Sequence, residues 1–201
     1  MKNLFTLCML LAVFVTPAFA QKSNWISLFD GKTLKGWKQL NGQAKYEAKD
    51  GMIIGTAVAN TPNSFLTTEK DYGDFVFECE VNVDEGLNSG IQFRSLSKAE
   101  YNNGRVHGYQ MEIDASDTDF SGGIYDEARR GWLYVPELNP KARKVFLRNN
   151  QWNKYRIEAI GNSLRTFING VEIAHVIDNM TAIGFISCRY TALIKPRKAS
   201  K

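Results

Sequence analysis

Asp74-Phe75-Val76-Phe77-Glu78-Cys79-Glu80-Val81-Asn82-Val83 alternates apolar and polar residues along its length. Successive side chains of a strand point to opposite faces, so Phe75, Phe77, Cys79, Val81 and Val83 share one face, and the stretch predicts a half-buried β-strand. Ser89 to Arg94, Tyr109 to Ile113, Lys154 to Ile160, Leu164 to Ile168 and Val171 to Val176 are shorter runs of the same kind. Turn signals separate them. Asn169-Gly170 and Asp50-Gly51 each stand between two such runs, and both residue types tolerate the positive φ of a tight hairpin turn. No segment keeps a helical period for three turns; the best candidate, Asp126 to Trp132, is interrupted by Gly131. Many short strands with regular turns predict an all-β fold of two stacked antiparallel sheets.

The first twenty residues combine Lys2, an apolar run from Leu4 to Val15 and small residues at Ala18 and Ala20. This is the pattern of a secretory signal peptide cleaved before Gln21, and it predicts a periplasmic or secreted product. The apolar run is short of the roughly 20 residues of a membrane helix, so no membrane span is expected. Cys8 lies within it, away from any lipid-attachment position. The remaining residues suffice for one domain. Cys79 and Cys188 are the only later cysteines; their spacing supports neither a disulfide framework nor a zinc site, and Cys79 reads equally as a buried thiol. Residues 21–188 carry 19 Lys/Arg against 21 Asp/Glu, whereas residues 189–201 carry five Lys/Arg and no acid. The net charge of +4 is therefore a property of the termini, which excludes a nucleic-acid footprint spread over a folded face. The chain has no Walker loop, GxSxG elbow or HExxH motif, and no cofactor or metal is expected.

Two stretches carry candidate chemistry. In His107-Gly108-Tyr109-Gln110-Met111-Glu112-Ile113-Asp114 the period of two sends Gln110, Glu112 and Asp114 to one face, and the neighbouring run offers Gln92 and Arg94 at the same spacing. Such a face suits sugar hydroxyls; the solvated side of an ordinary strand has the same pattern. In Ser121-Gly122-Gly123-Ile124-Tyr125-Asp126-Glu127-Ala128-Arg129-Arg130-Gly131-Trp132, paired glycines free the backbone. Tyr125 and Trp132 can stack on a pyranose, and Asp126 and Arg129 can hold polar groups. A surface salt-bridge loop would look alike. His107 stands at the mouth of the acidic strand, whereas His175 reads as a half-buried packing residue. Trp25, Trp37 and Trp152 read as core anchors.

Six ordered motifs add a resemblance: Trp25 to Trp37 (with Leu28-Phe29-Asp30-Gly31-Lys32), Asp50 to Gly55, Phe65 to Phe75, Asn88 to Ser95, Gly108 to Asp114 and Trp152 to Arg156. Together they resemble the 3-keto-disaccharide hydrolase domain family from Trp25 to about Ile186. The resemblance implies a laminin-G/concanavalin-like jelly roll and cleavage of glycosides oxidised at C3. It also implies a carbohydrate partner, an oxidised glycoside or oligosaccharide. A C3 ketone acidifies the C2 hydrogen, so the expected parts are a base, Glu112 or Asp114, and an enolate stabiliser, Arg94 or Arg129. His107 or Asp126 would handle a second proton. A non-catalytic carbohydrate-binding module of the same fold and a β-glucanase relative are the alternative readings.

The expected division is a signal peptide at 1–20, a β-sandwich at 21–187 and an atypical basic tail at 188–201. Relatives of this kind continue from the Gly-Phe-Ile strand into Leu-Gln-Val-His. Codons for Leu-Gln-Val-His-Ser, read one base later, give Cys188-Arg189-Tyr190-Thr191-Ala192, so a frameshift near Ser187 is expected.

Overall fold

The computed structural model describes residues 25–116, 120–138, 140, 142–146, 151–189 and 193–200. The expected signal peptide and its cleavage point lie outside these residues. In chain order the strands are β1 (Trp25–Ile26), β2 (Trp37–Leu40), β3 (Lys45–Lys49), β4 (Met52–Thr56), β5 (Phe65–Tyr72), β6 (Phe75–Asn82), β7 (Asn88–Leu96) and β8 (His107–Asp114). They continue with β9 (Ile124–Glu127), β10 (Gly131–Tyr134), β11 (Asn153–Ile160), β12 (Ser163–Ile168), β13 (Val171–Ile177), β14 (Gly184–Arg189) and β15 (Leu193–Ser200). One sheet runs β13-β12-β11-β6-β15-β4-β3, with β1 paired to β15; the other runs β10-β9-β8-β7-β14-β5-β2. All pairings are antiparallel. Among the described residues no helix is long and apolar enough to cross a membrane.

Alternation builds the core. Phe75, Phe77, Cys79 and Val81 of β6 face Ile91, Phe93, Tyr109, Met111, Ile113, Ile186 and Cys188 of the second sheet in one buried cluster. Cys79 and Cys188 are free and buried, and burial pushes both thiols up, that of Cys188 to about 12. The two expected hairpin turns form, with left-handed φ at Asn169 and Gly170 (50° and 85°) and at Asp50 and Gly51 (51° and 74°). Trp37 is a core anchor whose Nε1 donates to the Leu28 carbonyl at 2.8 Å, but Trp25 and Trp152 are only half-buried. His175 is exposed rather than packed, and its Nε2 lies 2.9 Å from Ser163 Oγ.

The tail occupies an interior slot. β15 pairs with both β6 and β4, placing Pro196 opposite Cys79 and Lys198 opposite Phe77. Proline has no N–H to give a central ladder. The strand slot is thus one that this segment's composition does not match.

Candidate active site

The second sheet has an outer face, turned away from the core, whose register can be followed across five strands. Tyr125 pairs with Gln110, Gln110 with Gln92, and Gln92 with Ser187, while Glu112 pairs with Gly90 and Arg189 with Phe65. These positions are polar at the centre and aromatic at the flanks. A Cβ at position 90 would overlap the Gln110 side chain, which crosses over β7, so a larger residue there would have to displace it.

The central side chains form a directed chain of hydrogen bonds. Ser95 Oγ donates to Gln92 Oε1 (2.8 Å), Gln92 Nε2 to Gln110 Oε1 (2.8 Å), and Gln110 Nε2 to Glu112 Oε2 (2.6 Å). From the other side Arg189 donates to Asn88 Oδ1, and Asn88 Nδ2 donates to Glu112 Oε1. Both arms therefore end on one carboxylate, which is only 4% exposed. Burial raises the Glu112 carboxyl to about 7; the charge of Arg189 and the amides of Gln110 and Asn88 pull it down, and Asp114 pushes it up. A carboxyl poised near neutrality can hold or accept a proton at modest cost. The array reaches solvent at Asn88, which is exposed. Ser187 Oγ, fully buried on the same face, has no hydrogen-bond partner among the described residues.

A loop covers this face. Asn41, just past β2, donates to the Gly104 carbonyl (3.2 Å) and accepts from the Val106 N–H (2.8 Å), while Tyr101 donates its hydroxyl to the Ala128 carbonyl beyond β9 (2.5 Å). β2 and β9 stand on opposite sides of the sheet, so the segment 97–106 crosses it as a strap. Val106 packs with Phe65, Phe185 and Leu40 apart from the main core, which places the strap on the outer face.

The flank holds Tyr125 and Trp132, paired in register with ring centroids 5.1 Å apart at 74°, and Phe120 lies 5.1 Å from Trp132. Trp132 is 38% exposed and offers a stacking surface.

The structure brings together Gln92, Gln110, Glu112, Tyr125 and Trp132, and puts the other candidates to different uses. Arg94 sits at a β-bulge with φ of 45°, is 1% exposed, and donates to the carbonyls of Gly73, Gly161 and Ala159 and to Asp74. It clamps the two sheets at their turns instead of lining the face with Gln92; the bulge breaks the period of two. The Asp114 carboxylate accepts from Ser116 N and Oγ and from Phe120 N, and so organises the loop after β8. His107 lies five residues from Glu112, about 16 Å at strand rise; its Nδ1 is 2.8 Å from the Arg105 carbonyl and its ring stacks on Tyr101.

Asp126 and Arg129 belong to a latch. Asp126 accepts from Arg129 Nε (2.6 Å) and Arg130 Nε (2.5 Å); Arg129 reaches Thr181 Oγ1 (2.6 Å) and Arg130 reaches Asp178 (2.8 Å). Burial works upward on Asp178, but the bonds from Arg130 and Tyr109 prevail and hold it at about 2. This network joins the β9–β10 turn to the β13–β14 connection, the salt-bridge alternative for that stretch. Gly122 is required by packing, since a Cβ there would meet Ile173 at 2.7 Å. Asn88, Ser187 and Arg189 were not among the expected site residues. Asn88 shares the parity of Gln92, which was a legible signal; Arg189 read as tail. Among the described residues no group of His, Cys, Asp or Glu could hold a metal ion.

The sandwich is an all-β jelly roll of the concanavalin and galectin type. The chain belongs to the family described as the 3-keto-alpha-glucoside-1,2-lyase-like domain, whose model matches residues 24–187. Among curated proteins none matches it. Of solved structures, a Parabacteroides distasonis ATCC 8503 protein with a provisional glycosyl hydrolase designation is 16% identical at a TM-score of 0.64, covering 89% of this chain and 94% of its own. The carbohydrate-binding module CBM66 from Bacillus subtilis is 17% identical at 0.53, covering 82% and 96%. A Bacillus subtilis protein with a galectin-like fold is 12% identical at 0.61, covering 83% and 89%. At these identities the likenesses speak for the fold alone.

Proposed function

We propose that this chain is an exported enzyme that cleaves 3-keto-glycosides with Glu112 as its base. The observation that carries the reading is the convergence of two hydrogen-bond arms on one buried carboxylate raised to about 7. The ionised Glu112 takes the C2 proton, and the C–H electron pair moves into the C2–C3 bond as the ketone becomes an enolate. The enolate then returns its electrons, forming C1=C2 and expelling the C1 oxygen, which takes the proton from Glu112. Addition of water across C1=C2 would complete a net hydrolysis. Trp132 with Tyr125 carries the leaving group's ring. Membership of the 3-keto-alpha-glucoside-1,2-lyase-like family and the secretory pattern of residues 1–20 support this reading.

The test is release of nitrophenol from a 4-nitrophenyl 3-keto-glucoside. Glu112→Gln is expected to lower kcat by about 100-fold or more, the usual weight of a general base; a loss of less than tenfold would remove Glu112 from the role. The exposed Trp132 beside Tyr125 also favours a second reading, a carbohydrate-binding module. That reading predicts glycan binding without turnover, lost in Trp132→Ala and kept in Glu112→Gln.

A further inference from the structure

A second concavity lies where the strap meets the β2–β5 edge. It is a cleft of about 590 Å³ bounded by the turn after β2, the segment leading into β5 and the tip of the strap. Its polar lining is made of amides and a hydroxyl: Asn41, Thr61, Asn63, Asn102 and Asn103. Among the described residues no carboxylate lines it, and the one cation among them, Arg105, is paired with Glu127 at 3.4 Å. Asn102 and Asn103 are exposed and held in the left-handed region (φ 44° and 56°), which sets their side chains on the rim. Phe65 lines the cleft and is also the register partner of Arg189, three strands from Glu112, about 14 Å at ordinary strand spacing.

We infer that this cleft is a second binding site for neutral carbohydrate, a distal subsite for a sugar unit beyond the one at Glu112. Amides present donors and acceptors side by side, as vicinal hydroxyls do, so they can meet a polyhydroxylated ring without a net charge. A cleft lined by no carboxylate among the described residues, and with its guanidinium partnered, favours a neutral ligand over a cation or a uronic acid. The volume lies within the ordinary range of ligand sites, about 300–1,000 Å³. The common outer face makes the two sites parts of one track, and to that extent the inference rests on the carbohydrate reading of the Glu112 site.

Calorimetric titration with maltotriose and cellotriose, with a trimer of uronic acids as the anionic control, tests it without turnover. At least one neutral trisaccharide should bind the native protein and its Arg156→Ala variant, altered on the open face of the other sheet, with Kd values within twofold of each other. Asn63→Ala combined with Asn103→Gly, the glycine keeping the left-handed backbone, should weaken that binding tenfold or more. A Tm within two degrees of native would show that the double variant is folded; should it unfold, Asn103→Gly alone, expected to weaken binding at least threefold, replaces it. Absence of binding by either neutral trisaccharide, tighter binding of the uronic trimer, or unchanged affinity in the cleft variants would overturn the subsite. Because no chemistry is read, a failure of 3-keto-glucoside cleavage leaves this outcome separately legible.

Discussion

The two sheets present outer faces that are both polar by strand alternation, yet they are physically unlike. On the first sheet Lys154, Glu78, Arg156, Glu158, Arg165 and Glu172 form a ladder of ion pairs, with Lys154–Glu78 at 3.1 Å, Arg156–Glu78 and Arg156–Glu158 at 2.7 Å and Arg165–Glu158 at 3.1 Å. On the second sheet the hydrogen-bonded array holds Ser95, Gln92, Gln110 and Asn88, with Glu112 and Arg189 as its charged members. Water reaches the first face, so unlike charges can sit there in numbers at little cost and little gain. The second is buried, and there charges are tolerable only where they are few and supplied with hydrogen-bond partners. The difference in burial selects amides on one face and ions on the other, and it leaves the buried carboxylate with a raised proton affinity.

Four substitutions would break or sharpen this contrast. The largest effect is expected where the two sheets are tied together: Arg94→Ala removes a buried guanidinium and its four hydrogen bonds, leaving three backbone carbonyls without that donor, and should cost about 3–5 kcal/mol in denaturant unfolding. A cost near zero would show that the clamp does not hold the faces in place. Next comes the pH dependence of Glu112. Its folded carboxyl titrates at about 7 against an ordinary 4.5, so between these values the native state holds more protons than the unfolded one, and stability falls as pH rises. Relative to Glu112→Gln, the unsubstituted protein should therefore lose on the order of 3 kcal/mol between pH 4.5 and 8. A constant difference between the two proteins across that window would refute the buried, raised carboxyl. Gly90→Ala should cost about 2 kcal/mol by forcing Gln110 off Glu112, and should lower activity with it; unchanged turnover would show that the Gln110 arm is dispensable. Smallest is Arg156→Ala on the open face, expected to change stability by less than about 1 kcal/mol and less again in high salt.

How much was legible in the sequence follows from the range over which each property acts. Alternation in residues 74–83 and the Asn169-Gly170 turn are local, and they identified strands and hairpins closely: β6, β11, β12 and β13 fall within a residue or two of the expected runs. Gln110 and Glu112 were placed on one face with Gln92 by the same period. The period failed at Arg94, because a bulge there changes the parity and turns the side chain toward the turns of the opposite sheet. Asp126 and Arg129 were ambiguous because a latch and a binding loop use the same residue types, and only the position of Asp178 and Thr181 separates them. The tail is a further case. Its basic, proline-containing composition reads as an ill-suited strand, and its slot beside β6 puts Lys198 opposite Phe77. The expected frame shift remains a proposal, and restoring the family-like ending should raise the melting temperature.

Sequence by itself determined the all-β class, the hairpin turns, the polar face and the family to which the chain is similar, since these rest on periodicity, turn stereochemistry and ordered motifs. Tertiary structure decided which polar face became a candidate site. The strap over the second sheet, the clamp at Arg94 and the approach of Asn88 and Arg189 to Glu112 join residues that the chain keeps far apart. Burial, which sets the protonation of Glu112, is a property of that assembly rather than of any local stretch.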